Sequence, residues 1–163
     1  MKTKQNSWCF TKKHQFSTRL ALNGKTIDTV KEFTLLGTIL TNDLKWNKNT
    51  KHLVRRAYAR MELLLKMSEF TKSKQDKLHI YKTYIRSVLE QSCVVWISNI
   101  TKHNERELER VQKVSIRLIL GKYESYTQAL KSLSIETLKE RRQLLCNRFA
   151  EKCTKKVKNK EHV

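Results

Sequence analysis

Residues Glu90–Gly121, EQSCVVWISNITKHNERELERVQKVSIRLILG, decide the fold class. The stretch closes one amphipathic helix on Trp96, crosses a polar turn and opens a second helix at Asn104. Leu108, Val111, Leu118 and Ile119 recur on one helical face. Arg106, Arg110, Lys113 and Arg117, at offsets 0, 4, 7 and 11, also share helical-face spacing. Such a helix buries an apolar stripe and presents cations beside it. Asn104 followed by Glu107 reads as a capping box, and Gly121 as the glycine that ends the helix.

Helical periods continue on both sides. Upstream, Leu53, Val54, Ala57, Tyr58, Met61, Leu64 and Leu65 trace one face as far as Met67, with Arg55, Arg56 and Arg60 opposite and Asn47 or Asn49 as the N-cap. Ser73 caps a segment carrying Leu78, Tyr81, Ile85, Val88, Leu89 and Trp96 in register. Downstream, Ser125 and Gln128 open a short helix through Leu133. Ser134 caps the last one, which carries Leu138, Arg141, Arg142, Leu145, Phe149 and Cys153. The sequence has no proline and only three glycines, so little interrupts these helices.

The first part reads differently. Trp8-Cys9-Phe10 suits a short buried strand. Asn23-Gly24 between Arg19–Leu22 and Lys25–Val30 is a hairpin signal, because a type I′ turn needs positive φ at both central residues. Phe33–Leu40 is a second β run in which Gly37 suggests a bulge or a close backbone approach. The expected fold is mainly α: a small N-terminal antiparallel β-hairpin region of about residues 1–42, then a helical bundle of four to six helices over 43–153. Residues 154–163 form a basic tail with too few apolar side chains to fold, and fraying is expected there.

A length of 163 residues suits one domain. Lys and Arg total 35 against 15 acids, a net charge of +20, which predicts attraction to nucleic acid or anionic surfaces. No apolar run approaches the roughly 18 residues of a membrane span. MKTKQNSWCF lacks the apolar core of a signal peptide. These features point to an intracellular chain, nuclear or cytoplasmic, with no membrane partner. Cys9, Cys93, Cys146 and Cys153 lack paired metal-ligand spacing and read as reduced thiols. The five histidines show no ligand or triad spacing, and there is no glycine-rich phosphate loop or carboxylate pair. The pattern therefore offers no catalytic residue and no metal ligand.

One ordered series of motifs spans roughly residues 1–153. It runs Lys2-Thr3-Lys4, Phe10-Thr11-Lys12-Lys13, Asn23-Gly24, Phe33-x-Leu35-Leu36-Gly37 and Leu44-Lys45-Trp46. It continues with Tyr81-Lys82-x-x-Ile85-Arg86-x-Val88-Leu89-Glu90, Cys93-x-Val95-Trp96, Leu108–Lys113 and Glu140-Arg141-Arg142. The series resembles the region just after the catalytic palm motif of non-LTR, LINE-type (jockey-like) retrotransposon reverse transcriptases. The resemblance implies a palm edge and primer-grip-like β region over 1–42 and a thumb-like helical region over 43–153. It places Leu36 and Gly37 in the primer grip, which holds the 3′ end of the growing strand. It places Lys2 and Lys4 at the palm edge near the incoming nucleotide.

The family's chemistry is two-metal phosphoryl transfer on Mg²⁺ held by paired aspartates, expected upstream of Lys2. This sequence contains three aspartates, Asp28, Asp43 and Asp76, none adjacent. The expectation is a mobile-element fragment of an RNA-directed DNA polymerase that is inactive alone and holds no cofactor. Ser87 stands where the family usually has proline, so that helix should run straighter.

The expected partners are RNA, DNA or their hybrid, bound weakly and salt-sensitively. The candidate contacts are Lys2, Lys4, Leu36, Gly37, Arg55, Arg56, Arg60, Arg106, Arg110, Lys113 and Arg117. Glu105, Glu107 and Glu109 interleave the last four, and Glu109–Lys113 is an i,i+4 pair, so a solvated face is the competing reading. Trp46, in a polar turn, is the one aromatic held open for base stacking. Two alternatives stand beside nucleic-acid binding. One is a basic helical module that meets a protein partner on the palm-side surface around Leu35, Ile39 and Leu40. The other is an unselected reading frame without function.

Overall fold

The structure, a computed structural model, describes residues 8–9, 21–26, 28–70, 73–123 and 125–158. Among the described residues six short strands come first: β1 (Trp8–Cys9), β2 (Ala21–Leu22), β3 (Lys25–Thr26), β4 (Asp28–Thr29), β5 (Glu32–Leu35) and β6 (Thr38–Thr41). β1 pairs in parallel with β4. β2 and β3 form an antiparallel hairpin across Asn23-Gly24, whose φ values of 52° and 75° are those of a type I′ turn.

β5 and β6 form the second antiparallel hairpin, with Leu35 opposite Thr38. Phe33–Leu40 is therefore not one strand with a bulge. Leu36 and Gly37, at φ 48° and 77°, are the two residues of its turn. Asn49 Oδ1 accepts the Ile39 N–H over 3.0 Å and docks this hairpin on the first helix.

Six helices follow. α1 is Asn47–Phe70. α2 spans 74–89: it begins as Lys74–Ile80, becomes π-helical over Tyr81–Arg86 and returns to α over Ser87–Leu89. α3 is Cys93–Trp96, extended by a 3₁₀ turn over Ile97–Asn99. α4 is Lys102–Leu120, α5 is Tyr126–Ser132 and α6 is Leu138–Lys158. The architecture is mainly α behind an N-terminal hairpin region.

The apolar periods bury as their spacing requires. Leu53, Ala57, Met61 and Leu64 of α1 meet Leu108, Val111, Ile116 and Ile119 of α4, and α2 adds Leu78, Tyr81, Ile85, Val88 and Leu89. Trp96, fully buried, donates its indole N–H to the Gln91 carbonyl over 2.9 Å. Each such large apolar side chain contributes on the order of 1.5–3 kcal/mol by leaving water. No helix among the described residues is long and apolar enough to cross a membrane.

Several helix boundaries differ from the sequence expectation, two of them because another residue caps the helix. Thr101, not Asn104, caps α4 and accepts the Asn104 N–H over 3.2 Å. Thr137, not Ser134, opens α6: its Oγ1 accepts the Glu140 N–H over 3.2 Å, and Glu140 returns to the Thr137 N–H over 3.0 Å. That reciprocal pair is a capping box. Asn47 and Asn49 already lie inside α1, and their side-chain oxygens serve Asn104 and Ile39. Ser73 does cap α2, through the Asp76 N–H.

The segment from Ser73 does not run straight to Trp96. It widens into the π stretch before Ser87 and breaks over 90–92, where Ser92 takes φ 52°. The irregularity arises without proline, of which the sequence has none. Tyr81, Ile85, Val88 and Leu89 all face the core across this widened stretch. At the far end α6 continues to Lys158, so helix covers 154–158 of the expected tail. Trp46 is 6% exposed and belongs to the core, not to a stacking platform.

Candidate nucleic-acid interface

The corner after α2 links the hairpin to the helices. Gln91 donates through Nε2 to the Leu36 carbonyl over 2.9 Å and accepts through Oε1 from Arg56 Nη1 over 2.8 Å. Leu36 is 87% exposed at the hairpin tip, in a left-handed conformation that costs a bulky L-residue about 1–2 kcal/mol. A Cβ on Gly37 would stand 2.6 Å from Gln91 Nε2, so a larger residue displaces the end of that side chain from the clamp, and the φ of 77° favours glycine. The tip is thus held by side chains 55 and 35 positions away in sequence from the atoms they bond. Arg56, expected at a phosphate, is half-buried and serves this clamp.

Neighbouring Glu90 takes two cations. Arg86 approaches it at 3.3 Å and Arg141 at 3.1 Å, with all three side chains largely buried. Arg142 is 1% exposed, lies 5.8 Å from the Trp96 ring centre and leaves Nε and Nη1 without hydrogen-bond partners. Burial pulls its guanidinium below its ordinary range, while Glu109 and Glu105 oppose that effect.

The candidate cations divide by what holds them. Arg55 is exposed. Arg60 donates to the Tyr84 carbonyl over 2.7 Å and stacks over the Tyr84 ring at 4.5 Å. On α4, Arg106, Arg110, Lys113 and Arg117 are all exposed along one side. Arg110 pairs with Glu107 at 3.4 Å. Lys113 lies 5.0 Å from the Tyr126 ring centre and Arg117 5.9 Å from that of Tyr123. Arg106 Nε turns back to the Lys102 carbonyl. Among the described residues, Arg106, Lys113 and Arg117 have no carboxylate within ion-pair distance. The structure therefore joins Leu36, Gly37 and Arg56 at the hairpin tip, leaves Arg55 and Arg60 on α1 and gathers Arg106, Arg110, Lys113 and Arg117 on α4. Lys2 and Lys4 lie outside the described residues.

Glu109 does not pair with Lys113. It accepts the Tyr126 hydroxyl and the Leu138 N–H at the start of α6, the latter over 3.1 Å. Beside it, Gln112, fully buried, accepts from the Tyr81 hydroxyl and donates to the Tyr126 hydroxyl and the Glu136 carbonyl, each over 2.9 Å. This polar knot ties α2, α4, α5 and α6 together. Burial raises the Tyr81 and Tyr126 phenols well above their ordinary value, and Glu109 adds to the rise at Tyr126. In the sequence the knot shows only as a glutamine on the buried side of α4.

The expected apolar patch is smaller than predicted. Leu35 and Leu36 are exposed, but Ile39 and Leu40 are half-buried, and Leu40 packs on the core.

Among the described side chains, Asp43 and Asp76 lie apart. Asp43 accepts from the Thr41 hydroxyl and the Lys45 N–H, which hold its carboxyl below its ordinary range. Asp76 sits in the first turn of α2. No three His, Cys, Asp or Glu side chains cluster for a metal among the described residues. No family model, curated protein or solved structure matches this chain.

Proposed function

We propose that this chain derives from a LINE-type reverse transcriptase and binds RNA, DNA or their hybrid through charge, without polymerising on its own. The ordered motif series supports the origin. The α4 stripe carries the binding: Arg106, Arg110, Lys113 and Arg117 are exposed within three turns, and only Arg110 is ion-paired among the described residues. Phosphates meeting such a stripe release condensed counterions, a gain that does not depend on sequence. The exposed Leu36 at a clamped, strained turn suits contact with a strand end.

The test is fluorescence anisotropy of a labelled RNA–DNA hybrid against the purified chain at low salt. Micromolar binding supports the reading, and no binding sinks it. Primer extension on an RNA template checks the second half, where any extended product would overturn the proposed inactivity.

A protein partner is the second reading, favoured by the exposed Leu35 and Leu36. It predicts a complex that survives nuclease and high salt and is lost in L36D.

A further inference from the structure

We propose that the second half of α6 is an arm that holds single-stranded nucleic acid, with Arg148, Lys152 and Lys155 on its phosphates and Phe149 against a base, an inference that rests on the nucleic-acid reading above. The helix has two parts. Leu138, fully buried, and Leu145, half-buried against the core, anchor its first two turns. From Asn147 to Lys155 every residue is exposed, although the helix continues to Lys158.

Arg148, Lys152 and Lys155 stand at offsets 0, 4 and 7, which is one helical face about 10 Å long. Among the described residues none of the three has a carboxylate within ion-pair distance, although Glu151 lies in the same half. A helix C-terminus carries about half a negative charge, which favours cations in the last turn and accounts for Lys155. That field fades within the turn, so it does not account for Arg148 or Lys152, which come before it.

Phe149 is 54% exposed and neighbours Lys152 one turn on. A row of cations with an aromatic ring beside it suits a single strand: phosphates meet the charges, and an unpaired base stacks on the ring. A duplex offers the phosphates but keeps its bases covered, so Phe149 favours the single strand. Helical hydrogen bonds alone sustain so short a segment weakly, and a bound strand supplies the contacts that packing does not. The sequence runs on as Lys156-Val157-Lys158-Asn159-Lys160, which extends the attraction for a polyanion. A second copy of this chain, equally cationic here, is repelled.

The experiment measures binding of a labelled single strand and of an RNA–DNA hybrid of the same length to the full chain, to F149A and to R148Q/K152Q/K155Q. A control, K25Q/K31Q/K74Q, removes three exposed lysines elsewhere. The proposal expects F149A to weaken single-strand binding about tenfold and to leave hybrid binding unchanged. It expects R148Q/K152Q/K155Q to flatten the log–log salt slope for the single strand by about 2, while the control keeps the native slope. Where the native chain binds, three results each overturn the arm and leave the charge-driven reading standing. They are an F149A variant that binds the single strand as the native chain does, an equal loss by F149A on the hybrid, and a salt slope of R148Q/K152Q/K155Q that matches the control. If the native chain binds neither nucleic acid, the charge-driven reading fails and the arm falls with it.

Discussion

Gln91 joins the tip of the β5–β6 hairpin to the helices by donating to the Leu36 carbonyl over 2.9 Å. Its other end accepts from Arg56, so one amide fixes a turn that would otherwise hold an exposed leucine in a left-handed conformation unsupported. Q91A removes both bonds and is expected to lower stability by about 1–3 kcal/mol. G37A is expected to cost at least as much, since its Cβ meets Gln91 Nε2 and its φ is 77°. Thermal melts of both variants check this. A Q91A melt equal to that of the native chain would show the clamp to be incidental.

The Gln112 knot carries a second prediction. Y81F leaves Gln112 Oε1 buried without its donor, an expected loss of about 1–3 kcal/mol. Q112L strips partners from Tyr81, Tyr126 and Glu136 together and is expected to cost more. Urea unfolding gives both values. If Q112L proves less costly than Y81F, the knot does not act as a unit.

Much of the helical scaffold is legible in the sequence, and the knot shows why the rest is not. The spacing of Leu53, Ala57, Met61 and Leu64 repeats locally, so the buried face of α1 can be read without knowing its partners. Asn23-Gly24 is equally local. Gln91 and Gln112 act on residues 55 and 31 positions away, and nothing in their own neighbourhood reports that. The π stretch at Tyr81–Arg86 has no sign in the apolar spacing, which is that of an ordinary α-helix. Of the candidate contacts, the α4 stripe is exposed as its spacing suggests. Arg56 and Arg60 also take partners, Gln91 and Tyr84, that lie 35 and 24 positions away, on α2 or just beyond it, which no local pattern reports.

Arg142 offers a sharper test of burial. It is enclosed beside Trp96, with two nitrogens unsatisfied and no carboxylate within ion-pair distance among the described residues. A buried charge without a close partner is worth little to stability, and an apolar side chain of similar volume replaces it at small cost or with gain. R142M is expected to match or exceed the native melting temperature. R142A, which leaves a cavity, is expected to lose about 2–4 kcal/mol. A loss of that size in R142M itself would show a strong pairing that the geometry does not suggest.

Alkaline pH should unfold this chain early. Burial pushes the Cys93 thiol up to about 11 and raises the Tyr81 and Tyr126 phenols. An unfolded thiol ionises near pH 8.5 and a phenol near about 10. Between those values and the raised ones the folded state holds more protons than the unfolded state, so stability falls as pH rises. It is fully present below about pH 8.5 and is lost progressively toward pH 11 and above. Melting temperature measured against pH checks the sign. At about pH 8, Cys93 should also resist alkylation while the exposed Cys153 reacts.

The central claim is that α4 meets phosphate through Arg106, Arg110, Lys113 and Arg117. The most direct measurement is the salt dependence of hybrid binding by the native chain and by the variant carrying glutamine at all four positions. Four phosphate contacts predict a log–log slope more negative by about 3 to 4 in the native chain, equivalent to roughly a hundredfold loss of affinity between about 50 and 200 mM salt. The account predicts that slope and its collapse in the variant. Equal slopes for the two proteins would contradict it.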